Sequence, residues 1–79
     1  GALRVLSLRG CKLTHLPAAL GGLARLRHLD LRDNALTDLP EAVANLPELE
    51  KLDLRWNHEL TRLPPWVAAL EARGCIVYY

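Results

Sequence analysis

The chain has 79 residues, of which 51% are hydrophobic and 24% charged, and its formal net charge is +1 at pH 7. This length allows one domain at most, spanning residues 1–79, and no apolar run approaches the roughly 20 residues of a membrane span. The small net charge gives little reason to expect nucleic acid or a membrane surface as a partner. Leucine supplies 19 residues, and Phe and Met are absent, so leucine is predicted to form most of the core.

The first predicted element is a strand at the start of "LRVLSLRGCKLTHLP", which begins at Leu3. The leucine spacing of this segment fits neither strict alternation nor a helical period. The same spacing returns 23 residues later in "LRHLDLRDNALTDLP" and again in "LEKLDLRWNHELTRLP". The chain is therefore predicted to contain three repeats, at about 3–25, 26–48 and 49–72, with one extra residue between Asn57 and Leu60.

The pattern L-x-x-L-x-L-x-x-N/C-x-L is met in each repeat, apart from that insertion, with Cys11, Asn34 and Asn57 at its ninth position. Together with the Leu-Pro pair that follows, it resembles the leucine-rich repeat family, in particular its intracellular Leu-Pro-x-x-Leu class. The resemblance implies an α/β solenoid, a right-handed coil with a short parallel sheet of four strands on its concave face and short α- or 3₁₀-helical segments outside. Repeats of this family are recognition modules, often attached to kinase, GTPase or ligase domains.

Within each repeat, the strand leucines are predicted to enter a core that only stacking can bury. Asn34 and Asn57 are expected to be buried and to bond backbone groups of neighbouring repeats. Cys11 is the weaker member of this ladder, because a thiol is a poor donor. The proline of each Leu-Pro pair suits the first position of a short helix, and Gly21-Gly22 is read as a site of close packing.

The last predicted elements are a helix in "PPWVAALEARG" and a strand in "CIVYY". The prolines start the helix and Gly74 stands where it should stop. With Trp66, Tyr78 and Tyr79, these elements are interpreted as a C-terminal cap over about 65–79.

No cap precedes Leu3, so the first repeat is predicted to expose an unpaired strand edge. It should also expose parts of its leucines, namely Leu3, Leu6, Leu8, Leu13, Leu16 and Leu20. Either further repeats or another chain would cover this end. For the 79-residue chain we predict two-fold self-association through it.

Residues between the strand leucines should point to the exposed side of the sheet, here called the strand face. Stacking turns equal repeat positions into columns: Val5, His28 and Lys51; Ser7, Asp30 and Asp53; Arg9, Arg32 and Arg55; Gly10, Asp33 and Trp56. One interpretation is that the Asp and Arg columns solvate each other in pairs worth about 0–1 kcal/mol. The other is that the bipolar surface orients a charged partner.

Trp56 stands where the other repeats have Gly10 or Asp33, so a core role is not expected. Trp and Arg are enriched at interface hot spots; alternatively, Trp56 covers the adjacent insertion. The predicted partner-binding residues are Arg9, His28, Asp30, Arg32, Lys51, Asp53, Arg55 and Trp56.

Other chemistries are not expected. The candidate zinc ligands Cys11, His15, His28, His58 and Cys75 occupy different repeat positions and would not converge. A Ser7–His28–Asp30 triad would lie on a flat sheet without a pocket or oxyanion donors. We therefore predict no cofactor, no metal and no enzymatic activity.

The two cysteines lie too far apart along the solenoid for a disulfide. Unpaired thiols fit a reducing compartment, and the predicted location is cytoplasmic.

The predicted function is a protein–protein interaction module that binds a protein or peptide through the concave strand face, as part of a larger regulatory protein. One alternative is a structural or engineered solenoid fragment with no ligand of its own. A second is anion or nucleic-acid binding through Arg9, Arg32 and Arg55, although nucleic acid is the less expected partner.

Overall fold

A computed structural model describes residues 2–79. Its sheet consists of four parallel strands in chain order, β1 (Val5–Ser7), β2 (His28–Asp30), β3 (Lys51–Asp53) and β4 (Ile76–Tyr78). The register pairs Leu6 with Leu29, Leu29 with Leu52, and Leu52 with Val77. Neighbouring strands are thus related by one repeat, which confirms the predicted α/β leucine-rich-repeat solenoid.

Each repeat returns through a short helical segment. The first two are 3₁₀-helices at Ala18–Gly22 and Glu41–Val43, and the third is the α-helix α1 at Trp66–Ala72. A glycine pair weakens helix propensity in the first segment, whereas α1 is built mostly from better helix formers. A Cβ added to Gly21 would lie 3.1 Å from the Cβ of Ala42, so the two 3₁₀-helices approach closely at this point, as the glycine pair predicted.

The expected position of the prolines was wrong by one residue. Pro17 and Pro40 lie immediately before the 3₁₀-helices, with φ near −70° and an extended ψ. Their carbonyls accept the first bonds of these helices, from the N–H groups of Leu20 and Val43. A proline serves here because only its carbonyl is needed and its missing N–H would have had no helical partner.

The end of α1 follows the prediction. Gly74 has φ +100°, and the N–H groups of Gly74 and Cys75 donate to the carbonyls of Glu71 and Leu70, each at 3.0 Å. This pair of bonds is the Schellman motif, which favours glycine at the residue after the helix. The Arg73 guanidinium donates to the carbonyls of Ala44 and Leu46 and so ties α1 to the preceding repeat.

The core is formed by leucines of the stacked repeats, as predicted. Six are at most 1% exposed: Leu26, Leu29, Leu31, Leu36, Leu46 and Leu52. In the first repeat, the strand-side leucines are less covered, and Leu3 is 43% exposed. The expectation was wrong for Leu16 and Leu20, which are buried, because they lie next to and within the first 3₁₀-helix, where it packs against the second.

The predicted asparagine ladder is confirmed. Asn34 is buried; its side-chain oxygen accepts from the N–H groups of Cys11 and Leu13 at 3.0 and 2.9 Å, and its amide donates to the carbonyl of Leu8 at 2.9 Å. Asn57 repeats the arrangement one turn later, accepting from the N–H of Leu36. Cys11 takes the matching place with only a 3.7 Å contact from Sγ to the Arg9 carbonyl, and it is exposed.

No helix in the described part of the chain is long and apolar enough to cross a membrane.

Candidate functional site: the strand face

Two aspartates on the strand face are each held by the arginine two residues later. Asp30 accepts from the backbone N–H, Nε and Nη2 of Arg32 at 3.1, 2.9 and 2.7 Å. Asp53 accepts from the same three groups of Arg55 at 3.2, 3.0 and 2.7 Å. We call this three-donor arrangement the Asp-x-Arg fork. It confirms that the Asp and Arg columns solvate each other in the second and third repeats.

The forks lower the pKa values of both carboxyls. The hydrogen bond from the Arg32 side chain, opposed by partial burial, lowers the pKa of Asp30 from its ordinary value of 3.8. For Asp53, burial acts to raise the pKa, but the Arg55 side-chain and backbone hydrogen bonds with the charges of Arg55 and Arg32 outweigh it, so the pKa is lowered. Arg32 Nε also lies 3.4 Å from Asp53 Oδ2 and links the two forks.

The first repeat has no fork, because Ser7 occupies the aspartate position. Within residues 2–79, no carboxylate lies within ion-pair distance of the Arg9 guanidinium, and no acceptor receives the Arg9 backbone N–H. The Arg9 guanidinium carbon instead lies over the Trp56 ring, 5.2 Å from the ring centre.

Trp56 therefore extends toward the first repeat and remains 50% exposed. Its φ is +66°, and the matching residues Gly10 and Asp33 have φ values of +68° and +56°. Glycine adopts this left-handed conformation freely and aspartate with modest cost, but it is unfavourable for a bulky side chain. The repeat geometry thus places a tryptophan where local backbone preference disfavours one.

A shallow depression of about 140 Å³ lies on the strand face across β2, β3 and β4. Its lining consists of His28, Leu29, Asp30, Lys51, Asp53 and Tyr78. Sites for small molecules and cofactors measure about 300–1,000 Å³. The depression accordingly matches one side chain of a partner better than a cofactor.

All eight predicted site residues lie on or directly beside the strand face. The sequence interpretation missed Ile76 and Tyr78, which continue the columns on β4 opposite Lys51 and Asp53. Tyr78 had been assigned to the cap alone, yet its ring lies under the Arg55 guanidinium, 5.0 Å from the ring centre to the guanidinium carbon. The alternation of Ile76, Val77 and Tyr78 was the available signal, because only Val77 turns toward the core.

The candidate chemical groups lie apart. No group of three or more possible metal ligands forms within residues 2–79. No hydrogen bond joins Ser7 to His28 in that range; His28 Nε2 lies 3.9 Å from a Glu50 carboxylate oxygen. Cys11 and Cys75 are both free, and burial raises the pKa of the Cys75 thiol.

Comparison with known proteins agrees with this architecture. A family model described as leucine rich repeat matches residues 1–58, and a second leucine rich repeat model matches residues 48–70. A search of curated proteins found no match. Because the first model covers more than half of the chain and the four-stranded parallel sheet has one strand per repeat, the chain belongs to the leucine-rich repeat family.

Proposed function

We propose that the strand face binds a protein or peptide and that the chain is the recognition part of a larger regulatory protein. Domains of the leucine-rich repeat family are in general protein-interaction modules and are typically not enzymes. A binding role without catalysis is therefore proposed for this chain. The two free thiols support a reducing compartment such as the cytoplasm.

The observation that carries the proposal is Trp56. An exposed tryptophan in a left-handed conformation costs about 1–3 kcal/mol of backbone strain. Its contact with Arg9 offsets only part of this, since an exposed cation–π pair contributes about 0.5–1 kcal/mol. Binding of a partner gives a reason for a large aromatic side chain at this position, and the depression across β2, β3 and β4 offers room for a partner side chain.

The test is a selection of binders from a random peptide display library on the 79-residue chain. Trp56→Ala should weaken the selected binders by about 2 kcal/mol or more, the usual size of a hot-spot loss. Lys12→Ala is the matched control, because Lys12 also has a positive φ, +58°, and is exposed. Isothermal titration of both variants decides the question. Binders unaffected by Trp56→Ala and Arg55→Ala together would contradict the proposal.

The alternative of nucleic-acid binding through the arginine column receives less support. Phosphate binding needs cations that are available to the backbone, whereas Arg32 and Arg55 each already hold a carboxylate at 2.7 Å.

Self-association of the 79-residue chain remains part of the proposal. β1 is hydrogen-bonded on one side only, to β2. Val5 on this strand is 57% exposed, and Leu3 just before it is 43% exposed.

A further inference from the structure

The strand face holds four side-chain cations besides histidine, and they divide into two pairs. Arg32 and Arg55 are neutralised by Asp-x-Arg forks. Arg9 and Lys51 form no ion pair with any of residues 2–79. Arg9 differs from Lys51 because it stands at the arginine position of the Asp-x-Arg fork in the first repeat, where only the aspartate is missing.

The first repeat keeps the donors of the fork and lacks only the acceptor. In the other repeats, the carboxylate receives the backbone N–H and two side-chain N–H groups of the arginine. Arg9 has the same backbone N–H and the same guanidinium, and both lack an acceptor within the described chain. Ser7, exposed and at the aspartate position, adds a hydroxyl that can donate to a carboxylate.

The Trp56 ring does not accept a hydrogen bond from Arg9; it holds the Arg9 guanidinium in place. A guanidinium stacked on an aromatic face keeps the N–H groups at its edge available for bidentate hydrogen bonding. Stacking also restricts the side-chain freedom of Arg9, which reduces the entropy lost when a carboxylate binds. Ser7 and Arg9 therefore form a group of donors that Trp56 helps to position. The charge of Arg9 contributes to the lowered pKa of Asp30, but no carboxylate of residues 2–79 lies within ion-pair distance of it.

We propose that the partner supplies the missing carboxylate, so that an Asp or Glu side chain of a bound peptide completes a third fork at Ser7, Arg9 and Trp56 (the acid subsite). This inference rests on the proposed protein binding and specifies its chemistry. The carboxylate accepts from the Arg9 backbone N–H and guanidinium, as Asp30 accepts from Arg32 and Asp53 from Arg55.

The second contact of such a peptide is the depression on β2, β3 and β4. Strands in a sheet lie about 4.8 Å apart, so this depression begins one strand from Ser7 and ends about 14 Å away on β4. An extended chain advances about 3.3 Å per residue. A peptide that crosses the strands thus places its acidic residue at the acid subsite and a second side chain, about four residues further on and therefore on the same face of the extended chain, against Tyr78 and Lys51.

An acidic peptide fits this arrangement better than a nucleic acid does. A phosphate backbone carries a charge at every nucleotide and is bound by rows of available cations. The strand face has one isolated carboxylate position, and the forks of the neighbouring repeats beside it already pair each arginine with an aspartate.

The first experiment measures binding of the peptide Ac-Glu-Gly-Gly-Gly-Tyr-NH2 by two-dimensional ¹H–¹⁵N NMR, with Ac-Gln-Gly-Gly-Gly-Tyr-NH2 as its neutral counterpart. The glutamate peptide should move the Arg9 amide proton downfield and bind about tenfold more tightly, because hydrogen bonds to a charged group add about 1.5 kcal/mol or more. Equal binding of the two peptides, or an unmoved Arg9 amide, overturns the acid subsite.

The second experiment fills the subsite from within the chain. Ser7→Asp should build an internal fork, shift the Arg9 amide downfield without peptide, and remove the preference for glutamate. Ala68→Asp adds the same charge on an exposed residue of α1, and the preference should survive there. If both variants weaken the glutamate peptide equally, the effect is general repulsion and the proposal is wrong.

The two proposals fail separately. In one outcome, the selected library peptides bind Trp56→Ala more weakly, show no enrichment of Asp or Glu, and bind Ser7→Asp unchanged. That result would support the proposed protein binding and overturn the acid subsite. Binders insensitive to both variants overturn the strand-face function itself. The acidic-peptide assignment would also be overturned by an oligonucleotide that competes with the glutamate peptide and has a higher affinity than that peptide.

Discussion

Individual side chains hold the turns that follow the strands. Asn34 bonds to N–H groups of the first repeat and to carbonyls of the first and second, including that of Leu31 at 3.0 Å. Water cannot replace these bonds where the side chain is buried, so a buried backbone group without a partner is costly. Cys11 is exposed and weakly bonded, so it contributes little to satisfying these backbone groups.

Replacement of Asn34 by leucine should therefore be strongly destabilising. Each backbone group that loses its hydrogen-bond partner costs about 1–3 kcal/mol. Because Asn34→Leu removes several such partners, it should lower the free energy of unfolding by at least about 2 kcal/mol in total. Cys11→Ala is the control and should cost less than about 1 kcal/mol. Urea denaturation of both variants checks this, and a larger loss in Cys11→Ala than in Asn34→Leu would refute the ladder argument.

The forks make stability depend on acidity. Because the folded-state pKa values of Asp30 and Asp53 lie below the ordinary 3.8, the unfolded state binds more protons than the folded state in acid. Their contribution is complete above that ordinary value and is lost as the pH falls through the lowered values. Thermal melts between about pH 5 and 2 should show a smaller drop in Tm for Asp30→Asn/Asp53→Asn than for the natural sequence.

Glu59→Gln is the control for this acid series. The Glu59 carboxylate is exposed and forms no ion pair with any of residues 2–79. The variant should keep the acid dependence of the natural sequence. Parallel curves for the natural protein and the double variant would show that the forks are not the titrating groups.

At the scale of elements, the return segments are distinguished by how each one ends. α1 closes with the Schellman motif at Gly74, whose φ of +100° is suited to glycine. Its last turn also brings Arg73 to the carbonyls of the second repeat. This helix therefore positions β4, and with it Tyr78, on the strand face.

Substitution of Gly74 tests that link. Gly74→Ala forces a Cβ into the left-handed region and should destabilise the fold by about 1 kcal/mol. Gly22→Ala is the matched control, because its added Cβ would meet no atom within 4 Å and its φ is not in the left-handed region. That change should be neutral or stabilising, by up to about 1 kcal/mol. Chemical denaturation should separate the two variants; an equal response would argue against the conformational cause.

At the scale of the whole molecule, each strand pairs only with the strands of neighbouring repeats, as in solenoids generally, and the Arg9–Trp56 contact is a side-chain contact that reaches one repeat further. The sheet therefore has two edges, β1 and β4, and each is hydrogen-bonded on one side. Exposed apolar side chains accompany both edges, Leu3 near β1 and Tyr79 after β4. An unpaired strand with apolar neighbours favours pairing with another chain.

The 79-residue chain is accordingly expected to form a two-fold dimer through β1 at high concentration. Leu3→Lys places a charge beside that edge and should shift the dimer toward monomer in light scattering. Tyr79→Lys, at the opposite edge, should leave the dimer unchanged. A monomer at all concentrations contradicts the prediction, and loss of assembly in both variants would indicate head-to-tail association instead.

The sequence by itself determined the repeat unit, the strand register, the leucine core and the asparagine ladder. These features follow from spacing alone, because a side chain at an equal position in each repeat meets an equal neighbour. The same reasoning placed His28, Lys51 and Trp56 on or beside the strand face.

Only the tertiary structure decided which charges on that face are satisfied. Pairing of the Asp and Arg columns was one of two interpretations that the sequence left open; the structure shows it for Arg32 and Arg55, whereas Arg9 stacks on Trp56 from two repeats away. The left-handed backbone at Trp56 was equally invisible to spacing. Such contacts depend on side-chain rotamers and on competition among neighbours for one carboxylate, and these are settled only when the repeats are stacked.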